Sequence, residues 1–310
     1  MASQTLVEAK KFINDDIVAG IVQDIIDLNP IYATIPFTSY MGQALLTNRE
    51  ASLGDAAFYS VDATITSKAA SAYTQVPFSA VKIVGDAELD NLVAVTSASA
   101  GVDQMAIEVS SKAKSIGRLV QQGIATGTGV APQMNSLHSL VDSGQYTTAS
   151  AGQALSFALL DEGLDLVKSK DGQCDWIMMP ARTMRSYKVL LRALGGTPSD
   201  WVVTLPDGRT TISYESIPIY KNEYLSVVET ANGAALTGGA LTSVWCGNFD
   251  SGDMKTGISM IHPEGAPAGV GYEFIGQLEN KDSAAVRIKQ YVNLAVFSKK
   301  SISRITSVNN

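Results

Sequence analysis

The sequence predicts an α+β fold in two lobes, and three observations predict it. Between positions 102 and 129 the residues Met105, Val109, Ala113, Ile116, Val120 and Ile124 recur at threes and fours, the spacing of one apolar stripe on an α-helix. Upstream, 43–84 turns to period-two alternation in two places, as extended strands with one covered face do. Downstream, the wholly apolar run Trp176-Ile177-Met178-Met179 lies between two helical patterns, which reads as a buried strand in an α/β layer.

Composition narrows the class. The 310 residues are enough for one elaborate domain or two ordinary ones. With 45% hydrophobic and only 17% charged residues, much of the surface falls to Ser, Thr, Gly, Ala and Asn. Such a surface suits a chain that buries itself against its own copies, because an unpaired buried charge is costly. The formal charge of −7 excludes a basic grip on nucleic acid. Cys174 and Cys246 are too few and too far apart for a disulfide framework or a cysteine zinc site, and free thiols in a reducing compartment are expected. MASQTLVEAKK has no apolar signal core and no stretch reaches the length of a membrane span, so the expectation is a soluble chain made in the cytoplasm, with no membrane partner.

Taken in order, 6–28 reads as helical with a stripe of Ile17, Ile21, Ile25 and Leu28, and Asn29-Pro30 ends it. An extended apolar segment is expected over 31–41. Two extended arms follow, with 57–61 and 76–83 showing the alternation, and between them 62–72 is small, polar and unable to form a core. A long hairpin with such a tip is unstable alone in water and has to lie on something. The stretch 85–92, GDAELDNL, reads as a turn into a short acidic helix. The long helix is then expected over 102–129, capped by Asp103 and stopped by Gly127 and Gly129, with Lys112, Arg118 and Gln121 on its wet face.

In the second lobe a helix is expected near 153–170, then the buried strand, then a helix opened by Pro180 and closed by Gly195-Gly196. A hairpin turn falls at 205–209, 217–220 is extended, and 230–239 is an Ala- and Gly-rich loop expected to be mobile. Core strands are expected at 242–246 and 257–261, and long extended patterns at 272–275 and 285–296. In the last, Arg287, Lys289 and Asn293 oppose Val286, Ile288 and Leu294, and the strand is expected to pack beside the long helix.

Chemistry is sparse. His138 and His262 are the whole imidazole supply, with no GxSxG elbow to mark a nucleophile, and surface or loop roles are expected for both. Gly127-Thr128-Gly129 begins like a dinucleotide fingerprint but leaves a helix instead of joining strand to helix. Asp250, Asp253 and Glu264 read as solvated acidic turns and Lys68 as a solvated lysine near the hairpin tip. No catalytic, cofactor-binding or metal-ligating residue is assigned, no cofactor is expected, and the chain is expected not to be an enzyme.

The order of these parts resembles the Hong Kong 97-type major capsid proteins of tailed bacteriophages. The resemblance lies in a succession covering nearly the whole chain: an N-terminal arm, the hairpin ending in VPFSAVKIVGDAELDNL, and the long helix ending in GIATGTGVAP. Then come DWIMMPARTMRSYKVL, SIPIYKNEYL and the closing VRIKQYVNLAVFSKKSISRI. It implies an N-terminal arm over 1–42, an extended loop over 43–84, a peripheral domain with its spine helix over 85–136, an axial domain over 137–271 and a return to the peripheral domain over 272–310. It further implies a homo-oligomer of pentamers and hexamers closing into an icosahedral shell around the double-stranded DNA of a tailed phage, assembled in the host cytoplasm and located in the virion. The packaged DNA is contacted without specificity, and portal and cement proteins are further partners. Because the fold is expected to begin within the first few dozen residues, scaffolding is assigned to a separate protein. Some members crosslink a loop lysine to a neighbour's asparagine; Lys68 with Asn280 or Asn293 is the candidate match, and an uncrosslinked shell is expected. The loops 195–208 and 231–239 are candidates for the capsomer centre. Encapsulin nanocompartment shells share the fold and are the alternative; a soluble α/β hydrolytic enzyme is the third reading.

Overall fold

The computed structural model describes residues 31–99, 103–149, 152–195, 202–205, 208 and 210–309; the helix expected over 6–28 lies outside the described residues, as does most of 196–207. In chain order the elements are α1 (Ile31–Thr34), β1 (Phe37–Tyr40), β2 (Leu45–Ser52), β3 (Ala72–Phe78), β4 (Val81–Asp90), α2 (Asn91–Ser99) and α3 (Gln104–Thr126). They continue with α4 (Leu137–Leu140), β5 (Tyr146–Thr148), α5 (Phe157–Asp165), β6 (Trp176–Met179), α6 (Ala181–Leu194), β7 (Val202–Thr204), β8 (Thr210–Tyr214) and β9 (Ile217–Lys221). The last are β10 (Thr242–Gly247), β11 (Ile258–Pro263), β12 (Gly271–Gln277), β13 (Ser283–Val296) and β14 (Ile302–Val308).

The long helix is α3, whose 23 residues span about 35 Å at 1.5 Å each. Asp103 caps it by accepting from the Ala106 amide at 3.1 Å. Gly127 ends it with ordinary negative φ, and glycine is required there because a Cβ would lie 2.4 Å from the Met134 carbonyl oxygen. The stripe is real: Ile116, Val120 and Ile124 are buried against Ile83 and Ala87 of β4 and Ile288 and Val292 of β13. The face expected to be wet is mixed, since Lys112 is exposed while Arg118 and Gln121 are half-buried, Arg118 donating to the Tyr224 hydroxyl at 3.3 Å.

Two main sheets share this core. A five-stranded sheet has the order β1-β11-β13-β12, with β4 also pairing β13. A seven-stranded sheet runs β5-β14-β10-β6-β9-β8-β7. In β6, Trp176 and Met178 face the core under α3, while Ile177 and Met179 face a second core with Leu159 and Leu160 of α5 and Tyr187 and Leu191 of α6. A strand covered on both faces explains the unbroken apolar run.

Several boundaries differ from expectation. The segment 31–41 is not extended throughout but opens with α1 before β1. The acidic helix expected over 85–92 is instead the second half of β4, because Asp86 and Glu88 lie in continuous register with β13 opposite Arg287 and Ala285; the pairing supplies the partners that a helix would leave unused. The arms of the hairpin are β2 and β3, while 57–61 belongs to its irregular tip. The helix near 153–170 shortens to α5, capped by Ser156, whose side chain accepts from the Leu159 amide at 3.3 Å. In the sheets, β11, within 137–271, joins the five-stranded one, and β14, within 272–310, is an inner strand of the seven-stranded one. The loop 230–239 is tied down, with the Thr230 amide donating to Ala235 at 2.9 Å and the Asn232 amide to Ser307 Oγ at 2.7 Å.

Candidate assembly surfaces

Among the described residues the hairpin β2–β3 is held at its root. There Leu45, Val76 and Phe78 pack with Tyr40, Ile261, Ala295 and Phe297. Arg49 is the clamp: its Nε donates to the Phe297 carbonyl at 3.0 Å, its Nη2 donates to the Val296 carbonyl, and its guanidinium lies 5.7 Å from the Phe78 ring centre. Burial pushes the Arg49 pKa down and Asp142 pulls it back up only in part. Beyond Arg49 and Val76 the two arms are exposed on both faces.

The tip, 53–71, has its own small architecture. The Asp55 amide donates to the Ala69 carbonyl at 3.0 Å. The Tyr59 hydroxyl oxygen accepts from the Thr66 and Ser67 amides at 2.9 and 2.7 Å and lies 2.7 Å from Ser67 Oγ. The Ser67 side chain, then Thr66 and the two amides, lower the phenol to about 8. Around this knot Leu53, Phe58, Val61, Ile65 and Tyr73 stand in solvent. A second exposed apolar surface lies on β12, an edge strand carrying Tyr272, Phe274 and Ile275 outward. Each such side chain gains about 1.5–3 kcal/mol when covered, and clusters of them mark contact surfaces.

Lys68 is exposed at the tip and Asn280 is exposed in the β12–β13 turn. Asn293 is a different case: it is buried, donating to the Ser79 carbonyl at 2.6 Å and accepting from the Asn135 amide at 2.8 Å. It is occupied as a structural bridge and is not a surface acceptor.

The two histidines separate. His262 lies on β11, its Nδ1 3.2 Å from the Pro263 carbonyl oxygen. His138, expected at a surface, joins a buried network: its Nε2 is 3.5 Å from Glu229 Oε1 and its ring meets Trp245 edge-on at 5.0 Å. Ser243 Oγ donates to Glu229 Oε2 at 2.5 Å and accepts from Arg304 Nε at 3.0 Å, and Arg304 Nη2 reaches Glu229 Oε2 at 3.1 Å. The Arg304 guanidinium also lies 5.2 Å from the Trp245 ring centre and 5.6 Å from that of Tyr146. Burial pushes the Glu229 carboxyl up, but the bonds from His138 and Ser243 and the charge of Arg304 outweigh it and hold the carboxyl below its ordinary value. Because the carboxylate sits between serine and imidazole, the histidine is not placed to take the Ser243 proton; the cluster ties α4, β10 and β14 together.

The remaining candidates resolve as structure. The Gly127 to Gly129 turn leaves the carbonyl end of α3, the wrong polarity for a phosphate. Asp250, expected as a solvated turn, is instead buried and accepts from the Met254 amide at 3.2 Å, while Asp253 accepts from the Lys255 amide at 3.3 Å. Glu264 donates its amide to the Tyr40 carbonyl at 2.8 Å. Among the described residues no group of three or more His, Cys, Asp or Glu side chains is arranged to hold a metal ion, and no helix is long and apolar enough to cross a membrane. Burial pushes the Cys174 thiol up to about 12 and that of Cys246 well above its ordinary value, so neither is an activated nucleophile.

Comparison by sequence finds no matching family model and no similar curated protein. Comparison by structure finds many. The encapsulin of the holo-SrpI complex from Synechococcus elongatus PCC 7942 superposes with a TM-score of 0.71 at 15% identity, over 100% of this chain and 97% of that one. The capsid of the native GTA particle gives 0.67 at 9% identity over 100% of both chains, and the capsid of Myoviridae phage XM1 gives 0.61 at 12% identity over 96% of this chain and 97% of that one. The chain therefore has the Hong Kong 97-type fold that these phage capsids and the encapsulin share.

Proposed function

We propose that this chain is a shell subunit, the major capsid protein of a tailed phage, assembling through pentamers and hexamers into an icosahedral shell around double-stranded DNA. The observation that carries the reading is the hairpin 45–78, clamped at its root and bare beyond it, with Leu53, Phe58, Val61 and Ile65 exposed at the tip. It finds its cover on a neighbouring subunit, and the aromatic face of β12 is a surface of the same kind. The parts follow as arm 1–42, extended loop 43–84, peripheral domain 85–136 with α3 as spine, axial domain 137–271 and return 272–310. In this reading the chain works by contacts between copies and not as an enzyme. An acidic wall of net charge −7 leaves packaged DNA free to enter and leave. Scaffolding is supplied by a separate protein, with portal and cement proteins as further partners, and the mature shell belongs to the virion after assembly in the host cytoplasm. The shell is not crosslinked through Lys68; ladders of linked subunits on denaturing gels of mature particles would overturn that.

The encapsulin likeness, which spans the whole chain, favours a second reading, a nanocompartment enclosing protein cargo. Electron microscopy and sedimentation of the purified protein test the shared part: closed uniform shells are expected, and soluble monomers under all conditions, with scaffold supplied, would return the hydrolytic-enzyme reading. The contents then decide, since long nuclease-protected DNA marks a virion and a co-purifying enzyme a compartment. Deleting 62–72 is expected to leave a folded subunit that no longer closes shells; normal particles from that deletion would refute the role given to the hairpin.

A further inference from the structure

α6 buries one face and leaves the other open. Thr183, Tyr187 and Leu191 point inward, so at 3.6 residues per turn the opposite face carries Arg185, Val189 and Arg192, with Arg182 and Lys188 at its flanks. The helix holds no acidic residue. Arg182 donates to the Ala240 carbonyl at 2.8 Å; Arg185, Lys188 and Arg192 have no partner among the described residues. A row of like charges at these spacings is unfavourable in the free subunit and is relieved by an acidic counterpart.

The same lobe carries one. An open groove of about 740 Å³ lies between the C-terminal end of α5, the segment 171–175 and the β8–β9 turn. Its exposed carboxylates Asp165, Asp171 and Glu215 have no ion-pair partner among the described residues. Asp175 is engaged by Lys170 at 2.8 Å, which leaves Lys168 as the unpaired cation of the groove wall among the described residues. Basic helix face and acidic groove are distinct surfaces of one chain.

We propose that the solvent face of α6 seats in the acidic groove of a second copy. The contact is heterologous, repeats head to tail and closes a ring. It deepens, and rests on, the shell-subunit reading. Nucleic acid is the poorer occupant, because an acidic groove in the same lobe of a chain of net charge −7 repels phosphates.

Charge reversal tests the pairing in the full-length chain. Arg185→Glu with Arg192→Glu sets acid against acid at every contact, and Asp165→Lys with Glu215→Lys sets base against base. Each pair of substitutions is expected to cut the assembled fraction in sedimentation about tenfold or more while leaving the circular dichroism of the subunit unchanged. All four together recreate the attraction with its signs exchanged and are expected to restore assembly. An equimolar mixture of the two double variants alternates favourably, so it restores hexameric rings, whereas a pentamer keeps one repulsive contact. Wild-type yield from Arg185→Glu with Arg192→Glu overturns the inference, and so does a folded fourfold variant that assembles no better than its parents. Shells that form normally from that double variant but lose nuclease-protected nucleic acid assign the face to nucleic acid and overturn it too. If the fourfold variant fails to fold, the mixture decides. Wild-type protein that forms no ring or shell strikes the shell reading first and this inference with it.

Discussion

Replacing Arg304 by methionine tests whether the buried cluster under β14 holds the fold together. Arg304 is 2% exposed and Glu229 1%, and the substitution removes the guanidinium bonds to Ser243 Oγ at 3.0 Å and Glu229 Oε2 at 3.1 Å. The methionine stem keeps much of the packing between Trp245 and Tyr146, so the loss is chiefly electrostatic. Breaking a buried pair by removing one partner costs about 3–5 kcal/mol; Ser243 and His138 remain on Glu229, which places the expectation near the lower end, at about 3 kcal/mol. The sign with pH follows from Glu229. Its folded carboxyl lies below the ordinary 4.5, so its stabilising contribution is complete above that value and is lost as pH falls through the lower folded one. Without Arg304 the carboxyl takes up a proton more readily, which neutralises the stranded charge, and the deficit of the variant shrinks in acid. Urea denaturation of the dilute protein, followed by tryptophan fluorescence, measures both. A deficit under about 1 kcal/mol at neutral pH, the size of an ordinary surface change, or one that does not shrink in acid, would refute the reasoning. Glu229→Gln combined with Arg304→Met is expected to recover most of the loss, because no charge is then stranded.

Three further outcomes are expected. One of the eleven tyrosines should ionise near 8 in ultraviolet difference absorbance, and Tyr59→Phe should remove that step; since the folded phenol lies below its ordinary 10, the tip gains order above that value and loses it as pH falls through about 8. Arg49→Met should raise hydrogen exchange in β2 and β3 about tenfold while changing global stability by about 1 kcal/mol, and unchanged exchange would remove the clamp role. Gly257→Ala places a Cβ 2.3 Å from the Phe249 carbonyl carbon at φ +85 and should cost about 2–4 kcal/mol in denaturant unfolding.

What was legible in the sequence was whatever a single element decides for itself. The α3 stripe, the Asp103 cap, the two-sided β6 and the Pro180 to Gly195 limits of α6 follow from spacing and end chemistry within one stretch. The strand at 85–90 was not legible, because Asp86 and Glu88 favour it only through Arg287, Lys281 and Ser283, about two hundred residues away in sequence. His138 was misplaced for the same reason, since its partners Glu229 and Trp245 lie on a distant turn and strand. Arg49 and Tyr59 carried no signal, one being a lone arginine in an alternating strand and the other a lone tyrosine in a polar tip. The exposed apolar residues of the hairpin were visible as letters, but only the fold shows that none of the described residues covers them.

The ladder between β4 and β13 has a mechanical consequence. β3 passes into β4 through Ser79 and Ala80, and β4 runs in unbroken register with β13 from Val81 against Val292 to Asp90 against Ser283. Antiparallel hydrogen bonds lie across the strands, so tension applied to the hairpin along its length loads that whole ladder in shear. No bond in it can fail before its neighbours share the force. Arg49 delivers part of the same tension straight to the C-terminal end of β13 through the Val296 and Phe297 carbonyls. The hairpin is thus a tether whose anchorage takes up load as one unit, and under stress it should straighten before it tears out of its own chain.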